Sequence, residues 1–126
     1  MAAPVLSILE GSYAVCRLPK DAPVPAALLA ADAGFVSITR TADELSIVCP
    51  EALTPADAKV NCGWRGFKVE GPLDFAMTGV LSALLESLAA AKISVFAVAT
   101  YDTDYILVRE ADFAAARREL ARFLSL

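Results

Sequence analysis

The segment that decides the fold is residues 70–110, EGPLDFAMTGVLSALLESLAAAKISVFAVATYDTDYILVRE. After a Gly-Pro loop, apolar residues recur at spacings of three and four, which predicts an amphipathic helix over Gly79–Lys92. Two apolar stretches follow, Ile93–Ala99 and Tyr105–Val108, and these are typical of strands. The polar turn Thr100–Asp104 lies between them and joins them into a hairpin. A helix followed by a hairpin predicts an α+β fold with an antiparallel sheet.

The first half of the chain carries a shorter version of the same order. A shift of 60 positions lays residues 36–53 on residues 96–113 without a gap, and apolar positions coincide along both strands of the hairpin. We therefore predict two weakly similar βαββα units, residues 11–63 and residues 64–126. One unit alone has too small a core to be stable, so the two units must share one sheet or interlock.

Smaller elements are predicted from turn and capping residues. Proline-rich sequence favours a short helix that follows Pro25 and runs through Ala31, and a helical turn over Ala56–Val60. Trp64–Glu70 is expected to be the strand that begins the second unit. Asp112 is expected to cap the last helix.

The composition excludes several classes of protein. The net charge is −4 with an isoelectric point near 4.7, and the basic residues are scattered, so a nucleic-acid-binding face is not expected. No apolar run approaches the ~20 residues that a membrane span needs, and no signal peptide is indicated, so a cytoplasmic protein is expected. Hydrophobic residues make up 57% of the chain, which favours a partner subunit covering part of the surface.

The sequence carries no recognisable catalytic or metal-binding set. Its three cysteines, Cys16, Cys49 and Cys62, have no CxxC spacing, and there is no histidine to complete a metal site. No nucleophile has an acid–base partner, and no phosphate-binding glycine motif is present. We therefore predict that the protein is not an enzyme and needs no metal or cofactor. A redox role for Cys62 stays open, and the carboxylates of Glu70, Asp74 and Asp102 are expected to be solvated unless they line a pocket.

The turn Thr100–Asp104 is the candidate ligand site. Asp and Thr form ordinary turns, so a plain hairpin is the simplest interpretation. Two observations favour a ligand instead. The corresponding turn Thr41–Glu44 has Ala42 in the place of Asp102, and the loop Gly71–Thr78 is enlarged just before a helix. A helix start can bind a carboxylate, and Asp102 or Asp104 can bind an ammonium group. An amino acid presents both groups.

The motifs Thr78–Leu81 (TGVL) and Thr100–Val108 (TYDTDYILV) resemble the ACT domain superfamily. Within it the chain is most similar to the CASTOR-type branch, which is named for the cytosolic arginine sensors and includes small bacterial tandem-ACT proteins. Ala99 stands where many relatives have serine. The resemblance implies two tandem, intertwined ferredoxin-like (βαββαβ) units with antiparallel sheets and helices on one face. It also implies that the N-terminal strand, within residues 4–10, completes the second unit.

The resemblance further implies an amino-acid effector site between ACT units. It would be formed by the loop before the helix and by the hairpin turn, with these residues: Glu70, Gly71, Pro72, Leu73, Met77, Thr78 and Gly79 on one side, and Thr100, Tyr101, Asp102 and Asp104 on the other. The function implied is a regulatory module that acts as a homodimer on an unidentified partner protein. The alternative is a dimeric interaction scaffold with an ACT-like fold and no ligand, in which Thr100–Asp104 is only a turn.

Overall fold

The computed structural model describes residues 5–70 and 78–122. Within these ranges the chain forms seven strands and two α-helices, and each strand pair whose register is defined is antiparallel. The predicted α+β class with an antiparallel sheet is therefore confirmed. The strands are β1 (Val5–Ile8), β2 (Tyr13–Leu18), β3 (Ser37–Arg40), β4 (Leu45–Pro50), β5 (Lys59–Glu70), β6 (Val95–Ala99) and β7 (Asp104–Arg109), and the helices are α1 (Thr78–Ala90) and α2 (Phe113–Ala121).

The chain divides into two compact units, which we call unit N (residues 11–64) and unit C (residues 1–10 and 65–126). In unit N, β2 pairs with both β4 and the first half of β5, and β3 pairs with β4. In unit C, β1 and β7 pair with β5, and β6 pairs with β7. The long strand β5 therefore contributes its first half to unit N and its second half to unit C.

The core of unit C lies between its strands and its two helices. Leu84 and Leu88 of α1 are fully buried against Phe67 of β5 and Ile106 of β7. The ring of Phe67 stacks on that of Phe113 in α2, with the ring centroids 5.2 Å apart. The predicted apolar stripe of α1 is thus the face that the helix buries, and this burial holds the helix on the sheet.

The core of unit N is formed mainly by alternate residues of β2 and β4. Leu45 and Ile47 of β4 pack with two cysteines, Cys16 of β2 and Cys49 of β4, and all four are buried. Burial raises the pKa of the Cys16 thiol, and burial together with the neighbouring Cys16 raises the pKa of Cys49 to about 12. Both thiols therefore stay protonated at neutral pH and act as small apolar side chains.

The expected helices of unit N are replaced by shorter elements. The helix predicted after Pro25 is only a 3-10 turn, Ala26–Leu29, and Ala30 that follows it is already extended. The helical turn predicted over Ala56–Val60 is also wrong, because β5 begins at Lys59. A helix that ends at Ala31 is too short to offset the cost of its nucleus without tertiary packing. In the second segment, Lys59 and Val60 pair with β2 instead.

Strand β5 begins at Lys59, earlier than the predicted start at Trp64. The discrepancy comes from Gly63, which has a backbone φ of +82° and is suggestive of a loop when only the sequence is considered. In the structure Gly63 belongs to a β-bulge, since the register between β2 and β5 shifts by one residue at this point. Cys62 therefore lies exposed in a strand and not in a loop.

The bulge is held by a side chain from a neighbouring turn. Glu51 lies in the 3-10 turn Glu51–Leu53 that follows β4, and its Oε2 accepts the Gly63 backbone N–H at 2.7 Å. A backbone donor that the bulge leaves without a strand partner is thereby satisfied.

Asp112 precedes α2, as predicted, but it does not cap the helix through its side chain. A 3-10 turn, Glu110–Asp112, leads directly into α2, and the Phe113 N–H bonds to the carbonyl oxygen of Glu110. The tightened first turn satisfies this donor through the backbone, so a side-chain cap is not needed there.

Candidate ligand-binding site

The hairpin turn between β6 and β7 is closed by its own residues. The Thr100 backbone N–H donates to the Thr103 carbonyl oxygen at 2.8 Å, and the Thr100 hydroxyl donates to the same oxygen at 3.0 Å. Tyr101 and Asp102, at the tip, are exposed, and Asp104 is partly buried where β7 begins. The hydroxyl of Thr100, which we predicted to bind a ligand, is therefore used to build the turn, and the side chains of Tyr101 and Asp102 extend into solvent.

Thr103 ties this turn to β5. It is the buried residue of the turn, and its hydroxyl donates to the backbone carbonyl oxygen of Val69. Val69 is flanked in β5 by Lys68 and Glu70, so this hydrogen bond holds the turn beside those two side chains. Thr103 was not among the predicted site residues, since nothing in the sequence distinguishes it from an ordinary turn threonine.

A polar network covers the face of β5 that is opposite to the core. Lys68 and Glu70 alternate with the buried Phe67 and Val69, so both point away from the helices. Lys68 Nζ lies 3.3 Å from Glu70 Oε1, and the same oxygen accepts a hydrogen bond from Ser7 Oγ at 2.8 Å. Ser7 comes from β1, where it pairs with Lys68, so this network depends on β1 joining unit C.

The charges of the network extend to the turn. The hydrogen bond to Glu70 raises the pKa of Lys68, and Tyr105 and Asp102 raise it further through their charges. Hydrogen bonds from Ser7 and Lys68 lower the pKa of Glu70. The contribution of Asp102 is the smallest of these, and the turn that carries it is held beside β5 by the hydrogen bond from Thr103 to Val69.

The predicted site residues fall into three groups. Glu70, Thr100, Tyr101, Asp102 and Asp104 lie in the region just described. Thr78 and Gly79 form the first turn of α1, as their backbone shows. The other predicted residues lie outside the described part of the chain: Gly71, Pro72, Leu73 and Met77. The structure adds three residues that were not predicted, Ser7, Lys68 and Thr103. The alternation of polar and apolar residues along β5 was the available signal for Lys68.

The structure corrects the number of positions that separates equivalent residues in the two hairpins. Thr41 N–H donates to the Glu44 carbonyl oxygen at 2.9 Å, which is the bond that Thr100 makes with Thr103. The equivalent residues are therefore 59 positions apart, since 41 + 59 = 100, and the predicted shift of 60 is wrong. A shift of one residue along a strand exchanges its two faces, whereas 59 positions match Ile47 with Ile106, both in cores.

The corrected shift alters the argument for Asp102. Position 102 now corresponds to Asp43, so the aspartate is common to both turns and Ala42 does not replace it. Two residues differ between the turns: the fully exposed Tyr101, which corresponds to Ala42, and the buried Thr103, which corresponds to Glu44. What distinguishes the second turn is thus its exposed tyrosine, its buried Thr103 and the network on β5.

The hydrogen bond from Ser7 gives a pH-dependent prediction. Because the pKa of Glu70 is lowered in the folded protein, this group stabilises the fold above the ordinary pKa of glutamate, and its contribution is lost as the pH falls through the lowered value. Ser7→Ala removes the hydrogen bond that contributes most to the lowered pKa of Glu70, so this pKa should move back towards its ordinary range. A carbon-detected NMR titration of the Glu70 carboxyl measures this, with Ser12→Ala as the control. An unchanged titration in Ser7→Ala would contradict the assignment of the hydrogen bond.

A family model described as ACT domain matches residues 59–122, which is more than half of the chain. The chain belongs to the ACT domain family. The matched region of this ACT protein contains the whole of β5 with Lys68 and Glu70, and the turn, whereas Ser7 of the polar network lies outside it. A second model, described as an N-terminal domain, matches residues 11–57.

Solved structures agree with this assignment. A protein from Agobacterium tumefaciens is 42% identical to this ACT protein, with a TM-score of 0.88 over 100% of this chain and 93% of that one. A protein of unknown function from Vibrio cholerae is 19% identical, with a TM-score of 0.75 over 96% and 90% of the two chains. The ligand-free regulatory subunit of aspartate kinase from Thermus thermophilus is 15% identical, with a TM-score of 0.67 over the whole of both chains. The last two comparisons show a shared fold.

Two further observations concern the described ranges alone. Neither α1 nor α2, the helices described there, has the length and apolar character that a membrane crossing requires. In the same ranges, no three acidic or cysteine side chains come together in a group that could hold a metal ion.

Proposed function

We propose that this ACT protein is a non-enzymatic regulatory module that binds an amino acid where ACT units of a homodimer meet. The observation that supports it most is the position of the turn Thr100–Asp104, which Thr103 holds beside Lys68 and Glu70. ACT domains are regulatory modules that bind small ligands. The region offers the ammonium group of Lys68, with the carboxylate of Glu70 3.3 Å away, and two aspartates in the turn, which are the charges that a zwitterion requires.

The proposal includes a tandem arrangement of ferredoxin-like units. Unit C has the order β5, α1, β6, β7, α2, with β1 as an additional strand on β5, and this is the βαββαβ order once β1 is counted last. Unit N follows the same order with 3-10 turns in the place of both helices. We interpret unit N as an ACT unit that has lost its helices, so that unit C carries the effector site.

The proposed ligand is held at its two ends. Its ammonium group binds the carboxylate of Asp102, with Glu70 and Asp104 close by, and its carboxylate binds the backbone N–H groups of the loop at positions 71–73 and at the start of α1. Ligand binding favours one packing of the ACT units in the dimer, and an unidentified partner protein recognises that packing. The regulation is then a linkage between ligand binding and partner binding.

The first experiment is thermal unfolding of the protein with each of the twenty amino acids at millimolar concentration. A ligand at a hundred times its dissociation constant adds about 2.7 kcal/mol of stability, which raises the unfolding midpoint by several degrees. We expect one chemical class of amino acid to raise the midpoint and the others to leave it unchanged. No shift with any amino acid would reject an amino-acid effector.

Asp102→Ala tests the residue that the proposal depends on. We expect this variant to remain folded, since the Asp102 side chain is exposed, and to lose the stabilisation given by the amino acid that shifts the wild type. Asp43→Ala is the matched control, because Asp43 occupies the same position in the turn of unit N, and it should keep the full shift. Equal shifts in the two variants would show that Asp102 does not bind the ligand.

One observation favours the alternative of an interaction scaffold. Unit N has an open apolar cleft of about 650 Å³, with Leu18, Val24 and Leu53 among its lining residues and prolines at 19, 23, 25 and 55. Such a cleft can accept apolar groups of another protein. In that case the protein would dimerise and bind its partner with no response to amino acids, and the variants at Asp102 and Asp43 would behave alike.

A further inference from the structure

Lys68 is the one basic residue that the described structure places at the candidate site. Its ammonium group lies 3.3 Å from Glu70 Oε1 and is under the influence of Asp102 and Tyr105. Its side chain keeps 35% of its surface exposed and that of Glu70 keeps 39%, so a small molecule can reach both charged groups. A pair that is accessible on both sides can be opened by a competing ion pair.

We propose that the Lys68–Glu70 ion pair is the specificity element of the site, and that an α-amino acid replaces it by exchange. The ligand carboxylate then pairs with the ammonium group of Lys68, and the ligand ammonium group pairs with Glu70 as well as with Asp102. In the absence of ligand the charges of Lys68 and Glu70 are paired with each other. This inference rests on the proposed function and assigns the ligand carboxylate to a side chain, in addition to backbone N–H groups.

The geometry of β5 supports the exchange. Lys68 and Glu70 are two positions apart in a strand, so their side chains leave the same face side by side. In an α-amino acid the carboxylate and the ammonium group are attached to one carbon, so they can meet two neighbouring charges of opposite sign. Ser7 keeps its hydrogen bond to Glu70 and fixes the carboxylate while Lys68 changes partner.

The exchange also requires an anchored turn. The hydrogen bond from Thr103 to Val69 holds the turn that carries Asp102 beside β5, and the negative charge of Asp102 adds to that of Glu70. A molecule that carries only a carboxylate would bring a further negative charge towards Glu70 and Asp102 and be repelled. A molecule that carries only an amine would pair with Glu70 and leave the ammonium group of Lys68 without a carboxylate partner.

The test uses Lys68→Met, which keeps most of the length and apolar stem of the side chain and removes its charge. The probe is the amino acid that raises the unfolding midpoint of the wild type most in the panel of twenty, compared with its methyl ester, which lacks the carboxylate charge. In the wild type we expect the ester to need a concentration about tenfold higher for half of the full shift, since one charge-assisted hydrogen bond is lost. In Lys68→Met we expect the two concentrations to come closer together, since only the backbone N–H groups then favour the acid.

Two further variants separate a binding role from a structural one. Lys68→Arg keeps the positive charge and should recover at least part of the preference for the acid over the ester. Lys59→Met removes an exposed lysine from the other end of the same strand and should keep the wild-type preference. A loss of structure would weaken the acid and the ester alike, whereas a lost contact to the carboxylate affects the acid alone.

The outcomes are distinct. If no amino acid of the panel shifts the unfolding midpoint of the wild type, both the proposed function and this inference are overturned. A shift of the wild type together with an undiminished preference for the acid in Lys68→Met would overturn this inference and leave the proposed function standing. A preference that is reduced in Lys68→Met, at least partly recovered in Lys68→Arg and kept in Lys59→Met would establish that Lys68 binds the ligand carboxylate.

Discussion

Replacing Phe67 by alanine should lower the free energy of unfolding by about 3–5 kcal/mol. Phe67 lies in the second half of β5, is fully buried in the core of unit C and stacks on Phe113 of α2. Its removal deletes the largest fully buried side chain of the described residues and leaves a cavity beneath both helices. Because a domain of this size is stable by only about 5–15 kcal/mol, the variant should be close to unfolding at room temperature.

Urea denaturation followed by far-UV circular dichroism measures this loss. Tyr101→Ala is the control, since it also removes an aromatic ring, but one that is fully exposed at the tip of the turn. A surface substitution of that kind should change the free energy of unfolding by no more than about 0.5 kcal/mol. Equal losses in the two variants would show that Phe67 does not have the core position that the structure gives it.

The parts of the fold that were predicted correctly are those in which one side-chain pattern dominates. The spacing of Leu84 and Leu88 predicted α1, because a helix buries residues three and four apart on one face. Short apolar stretches predicted β4 and β7, whose Ile47 and Ile106 both lie in a core. In these segments local preference and burial agree, so the sequence alone is sufficient.

Predictions failed where an element was short or where glycine controlled the local structure. The alanine-rich stretch after Pro25 formed only the 3-10 turn Ala26–Leu29, because so short a helix does not offset the cost of its nucleus. Gly63 was read as a loop, but the paired strand β2 holds it in a bulge. In both places tertiary pairing or the short length of the element outweighed the propensity of single residues.

Only those residues of the candidate site that belong to a local sequence pattern could be predicted. The turn Thr100–Asp104 and Glu70 were found because each belongs to a recognisable local pattern. Ser7 and Lys68 become relevant only when β1 pairs with β5, a contact between residues 63 positions apart. The error of one residue in the relation between the two hairpins had a similar origin, because apolar residues at positions 47 and 48 allow either register until the hydrogen bonds of the turn are known.

The two units share one strand, and this has consequences for folding. Strand β5 pairs with β2 through its first half and with β1 and β7 through its second half. Neither unit can keep its full set of strand pairs if β5 is released. We therefore expect the loss of one core to be transmitted to the other through this strand.

Replacing Ile47 by alanine should test this coupling, with an expected loss of about 2–5 kcal/mol in the free energy of unfolding. Ile47 is fully buried in the core of unit N, where it pairs with Cys16 of β2 and with Ile38 of β3. Its equivalent in unit C is Ile106, which is buried to the same degree. Ile106→Ala is therefore the matched variant and should cost a similar free energy.

The chain supplies two separate signals for this measurement. Its one tryptophan, Trp64, is buried at the end of unit N, and both α-helices of the described residues belong to unit C. Tryptophan fluorescence thus reports on unit N and circular dichroism at 222 nm on unit C. If β5 couples the cores, Ile47→Ala should lower both midpoints equally, although the substitution is in the unit that has no α-helix. A fluorescence transition that moves to lower urea while the helical signal keeps its wild-type midpoint would mean that unit C folds without unit N, and that β5 keeps its pairing with β1 and β7 after its first half is released.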